Sequence, residues 1–147
     1  MPDIHPALLQ DCLVIGRFPL CTLLLMDDVT YPWFILVPER EAMTEIHQLC
    51  EADQQQLMRE SVQLAKALEA AFTPDKLNVA VLGNIVPQLH FHHVVRYRND
   101  PAWPGPVWGQ APAIPYGKES RGAVLAALKT SLGDAVEWRA TNQLLIS

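Results

Sequence analysis

The segment Gln88-Leu89-His90-Phe91-His92-His93-Val94-Val95-Arg96 gathers the residue types best suited to chemistry. In an extended chain side chains alternate between faces, so Gln88, His90, His92, Val94 and Arg96 share one face and Leu89, Phe91, His93 and Val95 the other. The second face is apolar except for His93, which reads as a packed, hydrogen-bonded core histidine. The first is polar and clustered. Imidazole titrates at about 6.5, so at neutral pH one ring can be an uncharged nucleophile while its neighbour donates a proton to phosphate or to a leaving oxygen. A strand rise of about 3.4 Å per residue spaces the two by about 7 Å along the chain, which can bracket a phosphoryl group. Asn84, in a Gly-containing turn upstream, adds an amide donor and exposed backbone N–H groups for an anion. Arg96, with Arg98 beside it, is suited to a distal phosphate.

Three readings of this face stay open on residue types alone: a solvated sheet face that happens to carry histidine, a metal site built on His90 and His92, and phosphate chemistry. A metal site needs further ligands, and no Asp, Glu or Cys follows at a suggestive spacing.

The elements that must position the cluster follow from periodicity. Three short apolar runs, Cys12 to Ile15, Thr22 to Met26 and Trp33 to Val37, are separated by Gly16-Arg17-Phe18-Pro19 and by Asp27-Asp28-Val29-Thr30-Tyr31-Pro32. Such runs with turn residues between them predict adjacent antiparallel strands. From Asp53 to Phe72 the period changes: Leu57, Ser61, Leu64, Ala65, Leu68 and Phe72 recur at three and four, predicting a helix with one buried stripe, opened by a capping box of Asp53 and Gln56 and stopped by Thr73-Pro74. Two more strands are expected at Lys76 to Leu82 and Gln88 to Tyr97. The stretch Asp100 to Tyr116 holds five prolines and two tryptophans, so it forms neither a regular helix nor a central strand. It reads as an ordered arm anchored by Trp103 and Trp108, which either roofs a pocket or seals the sheet. A final helix is expected over about 118–132. The sum is one α+β domain over 1–147: a core at about 12–98 with a five-stranded antiparallel sheet and one long helix across it, then an irregular C-terminal segment with the arm at about 100–116.

Composition limits the partners. With 50% hydrophobic and 18% charged residues the chain can bury a core, which excludes disorder as its main state. A net charge of −5 argues against broad binding to nucleic acid, which needs clustered Lys and Arg, but leaves a small anionic ligand open. Cys12, Cys21 and Cys50 lack metal or redox spacing and read as buried free thiols in a reducing compartment. Met1 to Gln10 carries acid and histidine where a secretory signal has a basic start, and charged or turn residues break every apolar run short of a membrane span. These features suggest a cytoplasmic chain without membrane contact. His5 and His47 read as surface residues.

The Gln88-x-His90-x-His92 pattern followed by Val94 and Val95 resembles the histidine triad (HIT) motif, in which three histidines alternate with apolar residues near the end of a strand. The order of elements over about 12–98, including a strand closing in Ile35-Leu36-Val37-Pro38, agrees with the family's layout. This resemblance implies a HIT-like fold and a nucleotide hydrolase or transferase acting on a dinucleoside polyphosphate or nucleoside phosphoramidate. His90 falls at the position that attacks the α-phosphorus and becomes transiently nucleotidylated, and His92 at the position that hydrogen-bonds the phosphate and leaving group. Gln88 replaces the first histidine, which orients the middle one, and its amide can both donate and accept. Asp27 or Asp28 falls where the family places a group on the ribose hydroxyls, and Leu24, Phe34 and Ile35 near a base pocket. The resemblance implies a homodimer and no required cofactor, with Mg²⁺ able to accompany a polyphosphate substrate. The rival readings are a nucleotide-binding module without turnover and a metal-binding domain using His90 and His92.

Overall fold

The computed structural model describes residues 3–140. Its frame is a six-stranded sheet in the order β4-β5-β3-β2-β1-β6, all neighbours antiparallel. The strands are β1 (Cys12–Arg17), β2 (Cys21–Met26), β3 (Trp33–Pro38), β4 (Lys76–Ala80), β5 (Phe91–Arg96) and β6 (Glu137–Trp138). A short helix α1 (Pro6–Asp11) precedes β1, α2 (Glu51–Phe72) and α3 (Lys118–Leu132) are the other α-helices among the described residues, and 3-10 turns lie at Ile46–Gln48 and Gly133–Ala135. Residues 1, 2 and 141–147, which the expected domain included, lie outside the described ones.

Alternation along the strands builds two apolar layers. Leu13, Leu23, Leu25, Phe34, Leu36, Phe91 and Val95 face one side, where Leu57, Leu64 and Leu68 of α2 and Leu125, Leu128 and Leu132 of α3 cover them. Cys12, Leu24, Trp33, Ile35, Val37 and Val94 face the other, beneath Leu8 of α1, Val107 and Trp108. Burying side chains of this size contributes about 1.5–3 kcal/mol each, enough for a sheet to need cover on both faces. The expected α+β architecture is present, with α3 joining the long helix on one face and the arm covering the other.

Several expectations change. The sheet gains a sixth strand because Gly16, expected in a turn, lies within β1 at a register shift and pairs with Trp138. A Cβ at Gly16 would meet Val136 Cγ1 at 2.5 Å and Glu137 O at 3.0 Å, so only glycine lets that strand approach. The long helix starts at Glu51 without the predicted capping box, since Asp53 instead pairs with Arg40 at 2.6 Å. A capping box does form earlier, between Glu45 and Gln48. The helix ends at Thr73, which is left-handed at φ 43° and whose N–H donates to Glu69 O. Its buried stripe includes Glu60 and Ala67. The Glu60 carboxylate, 1% exposed, accepts the N–H groups of Leu20 and Cys21, each at 2.9 Å, and so joins α2 to the β1–β2 turn. Paired in this way, the charge avoids the large cost of an unsatisfied buried carboxylate. Cys50 is exposed, whereas Cys12 and Cys21 are buried. No helix among the described residues is long and apolar enough to cross a membrane.

Candidate active site

Strand β5 lies between β3 and β4, with Ile35 opposite His92 and Phe34 opposite His93. Parity then assigns the histidines. His93 faces α2: its Nδ1 lies 3.0 Å from Phe91 O, which can only accept, and its Nε2 lies 2.7 Å from Ser61 Oγ. Nδ1 therefore carries the proton and Nε2 accepts the Ser61 hydroxyl. Burial pushes the His93 imidazole down to about 4. This is the packed core histidine expected from sequence.

His90 and His92 meet on the opposite side, their ring centroids 4.8 Å apart. His90 precedes the strand, which begins at Phe91 rather than at the predicted Gln88. Its Nδ1 lies 2.7 Å from the backbone oxygen of Gln88. A carbonyl oxygen has no hydrogen to give, so Nδ1–H is the donor, and in the neutral ring the lone pair lies on Nε2. His92 packs between the indoles of Trp33 and Trp108, at centroid distances of 5.7 and 5.2 Å, and Trp33 Nε1 donates to His92 Nδ1 at 3.0 Å. Burial first, then the neighbouring His90 and His93, push His92 down to about 3. Because that value lies below the ordinary 6.5, acid favours the unfolded chain, which takes up the proton first. The stability held by neutral His92 is therefore full above pH 6.5 and declines as pH falls towards about 3.

Both imidazoles are only 5% exposed, which does not fit the reading of this face as a solvated sheet surface. Their surroundings include the N-terminal segment and the arm, with Ile4, Val86, Ala102 and Trp108 packed on the same apolar layer. A cavity of about 620 Å³, lined by neither imidazole, is bounded by Asp27, Asp28, Tyr31, Trp33, Trp108 and residues 109–115 of the arm. Trp33 and Trp108 thus border both the cavity and His92.

A family model for the HIT domain matches residues 8–99. The chain belongs to the histidine triad family. Among solved structures, a histidine triad protein from Marinobacter aquaeolei is 48% identical with a TM-score of 0.87, covering 90% of this chain and 96% of that one. Histidine triad proteins from Bradyrhizobium japonicum and Sinorhizobium meliloti are 40% and 39% identical, both at a TM-score of 0.86; each covers 88% of this chain, and 97% and 96% of theirs. A search of curated proteins finds no match. HIT proteins generally bind nucleotides and act on nucleotide phosphates, and this chain has their fold.

Other predicted site residues divide. The Gln88 side chain is turned from His90: its Oε1 accepts the His5 N–H at 2.7 Å and its Nε2 donates to Asp3 O at 2.9 Å. Gln88 thus holds His90 through its carbonyl and the N-terminal segment through its amide. His5 is part of that fastening rather than a free surface residue, because its Nδ1 caps α1 at Ala7 N. Asp27 and Asp28 border the cavity, and both brace the arm: Asp27 Oδ1 accepts from Tyr116 N at 2.9 Å, and Asp28 Oδ1 from Thr30 N at 3.1 Å and Ile114 N at 3.4 Å.

Arg96 departs from its expected role. It is 2% exposed, with its guanidinium on both Asp100 oxygens, on Asn78 Oδ1 and on Gly105 O, and it lies 5.8 and 5.7 Å from the Tyr31 and Trp103 rings. Such a guanidinium anchors the arm to β5 and is occupied before any phosphate arrives. Asn84 and Arg98 are exposed on loops. Phe34 belongs to the helix-side core, whereas Leu24 and Ile35 share the layer of His92. Sequence reasoning missed Trp33 as a partner of His92, since the residue reads as an ordinary strand aromatic until the register with β5 is known.

Replacing Gln88 with Ala should release the N-terminal segment without disturbing the sheet. Hydrogen exchange at the amides of residues 7–11 should quicken by about tenfold, as expected for losing two bonds worth about 1 kcal/mol each in part, with β3 and β5 unchanged. Equal protection in both proteins would show that Gln88 does not hold the segment.

Proposed function

We propose that this HIT protein binds a nucleotide conjugate and transfers its nucleotidyl group through His90 to water or another acceptor. The observation that carries the reading is the His90 Nδ1 contact to the Gln88 carbonyl, which in the neutral ring puts the lone pair on Nε2, with His92 in ring contact. That lone pair forms the N–P bond to the α-phosphorus while the leaving group departs with the electrons of its own bond to phosphorus. His92 contributes a hydrogen bond to the phosphoryl group. Water then attacks phosphorus, the N–P bond returns its electrons to Nε2, and a nucleoside monophosphate leaves with one water proton passing to solvent.

The nucleoside part takes the cavity that Trp33 and Trp108, the ring partners of His92, help to line. Its volume falls within the roughly 300–1,000 Å³ usual for small-molecule sites, and its indoles offer a base two flat apolar surfaces. Asp27 and Asp28 each have a carboxylate oxygen outside the bonds that brace the arm, suited to ribose hydroxyls. The metal-binding alternative has no comparable support: among the described residues no group of three or more His, Cys, Asp and Glu is gathered as a metal would require. Mg²⁺ enters this reading only as a companion of a polyphosphate substrate.

A homodimer joined along the β4 edge completes the proposal. β4 ends the sheet, Val79 on it is 44% exposed, and Leu82 and Ile85 just beyond are 47% and 93% exposed. Met58 and Val62, one turn apart on α2, are 56% and 44% exposed. An unpaired strand edge with apolar neighbours is a surface on which a second copy of this chain can continue the sheet.

His90→Ala should abolish release of nucleoside monophosphate from dinucleoside polyphosphates while nucleotide still raises the variant's melting temperature. Full activity in that variant overturns the covalent route, and stabilisation of the wild type without turnover would favour a binding module. In sedimentation the protein should run at twice the chain mass, and Val79→Asp should shift it towards monomer; a wild-type monomer removes the dimer.

A further inference from the structure

Trp33 is the residue near the imidazole pair whose chemistry is most restrictive. Its indole nitrogen can donate a hydrogen bond and never accept one. Since Trp33 Nε1 lies 3.0 Å from His92 Nδ1, that nitrogen must present its lone pair, and the single proton of the neutral ring resides on Nε2. Strand register holds this contact: Trp33 lies two residues from Ile35, the residue opposite His92, so both rings project into one apolar layer. Trp108 closes the other side of the imidazole, and the Trp33 and Trp108 rings meet edge to face at 5.8 Å. The titratable neighbours, His90 in ring contact and His93 on the same strand, both oppose a second proton on His92, as does burial.

We propose that Trp33 is a positioning residue that fixes His92 as a neutral Nε2–H donor, so that the site favours leaving groups that depart as anions over those that depart as amines. This rests on the nucleotidyl-transfer reading above. When His90 Nε2 forms the N–P bond, a phosphate leaving group takes the P–O electron pair and is already a stable anion. It needs a hydrogen bond, which His92 Nε2–H supplies without losing its proton. An amine leaving group takes the P–N pair onto nitrogen and must gain a proton as it goes. A neutral imidazole whose Nδ1 is held by an indole N–H has no acidic proton to transfer. Of the two substrate classes open to the family resemblance, the site therefore suits the phosphoanhydride better than the phosphoramidate.

Nitrogen NMR of the ligand-free protein tests the tautomer independently of turnover. His92 should show a protonated Nε2 and a lone-pair Nδ1 from pH 5 to pH 8, and Trp33→Phe should turn it into a mixture of tautomers, with the opposite tautomer of His93 unchanged as a control for folding. A protonated Nδ1 on His92 in the wild type overturns the proposal, and this measurement stands if the variant fails to fold. Kinetically, kcat/KM for a dinucleoside polyphosphate should exceed that for adenosine 5′-phosphoramidate by about a hundredfold, the contribution of one positioned general acid. In Trp33→Phe, where Nδ1 can accept a proton, the ratio should narrow and the phosphoramidate reaction gain an acidic limb in its pH profile. A wild-type preference for the phosphoramidate, or a ratio unmoved by Trp33→Phe, overturns it. Should neither substrate turn over, the nucleotidyl-transfer reading fails, and with it the leaving-group preference, while the tautomers still decide the role of Trp33.

Discussion

Two hydrogen bonds of opposite sense govern the site. A backbone carbonyl accepts the Nδ1 proton of His90, and an indole N–H gives its proton to Nδ1 of His92. Neither partner can reverse its role, so two identical side chains two residues apart take opposite neutral tautomers, one with its lone pair on Nε2 and the other with a proton there. Neither assignment needs a charged neighbour. This suits a layer in which both rings are almost fully buried and a carboxylate would be costly to place.

The rest of the fold maintains that pair. Antiparallel pairing of β3 with β5 brings Trp33 to His92, and α2 with its Ser61 holds the other side of β5 through His93. The N-terminal segment and the arm cover the reactive face, each secured by a polar device. Gln88 clasps the backbone at Asp3 and His5, while Arg96 gathers Asp100, Asn78 and Gly105. A removed Arg96 side chain would leave the buried Asp100 without its counter-charge, held only by the Tyr97 and Trp103 N–H groups, so this ion pair belongs to the architecture of the cover.

The fold was readable from sequence where a local pattern carried it. Short apolar runs bounded by turn residues in the first three strands, period three to four from Leu57 to Phe72, and proline density after Asp100 each correspond to an element that formed. Parity in the motif strand separated His93 from His90 and His92. What escaped depended on contacts distant in sequence. Gly16 looked like a turn residue because its need for a bare backbone arises only where β6 approaches. Arg96 looked available because Asp100 and Asn78 join it only after the chain has folded. Gln88 looked like a stand-in for an orienting histidine, and the backbone carbonyl that performs that contact is invisible in residue types. Trp33 is separated from His92 by 59 residues, and only register unites them.

The central claim is that His90 Nε2 is a nucleophile towards phosphorus. Intact-mass measurement after rapid acid-free quenching of the protein with a slowly hydrolysed dinucleoside polyphosphate, followed by peptide mapping, tests it most directly. The account predicts a gain of one nucleoside monophosphoryl group, carried on the peptide containing His90 and lost on brief acid treatment. Turnover with no adduct at any quench time, or an adduct mapped to another residue, would contradict it.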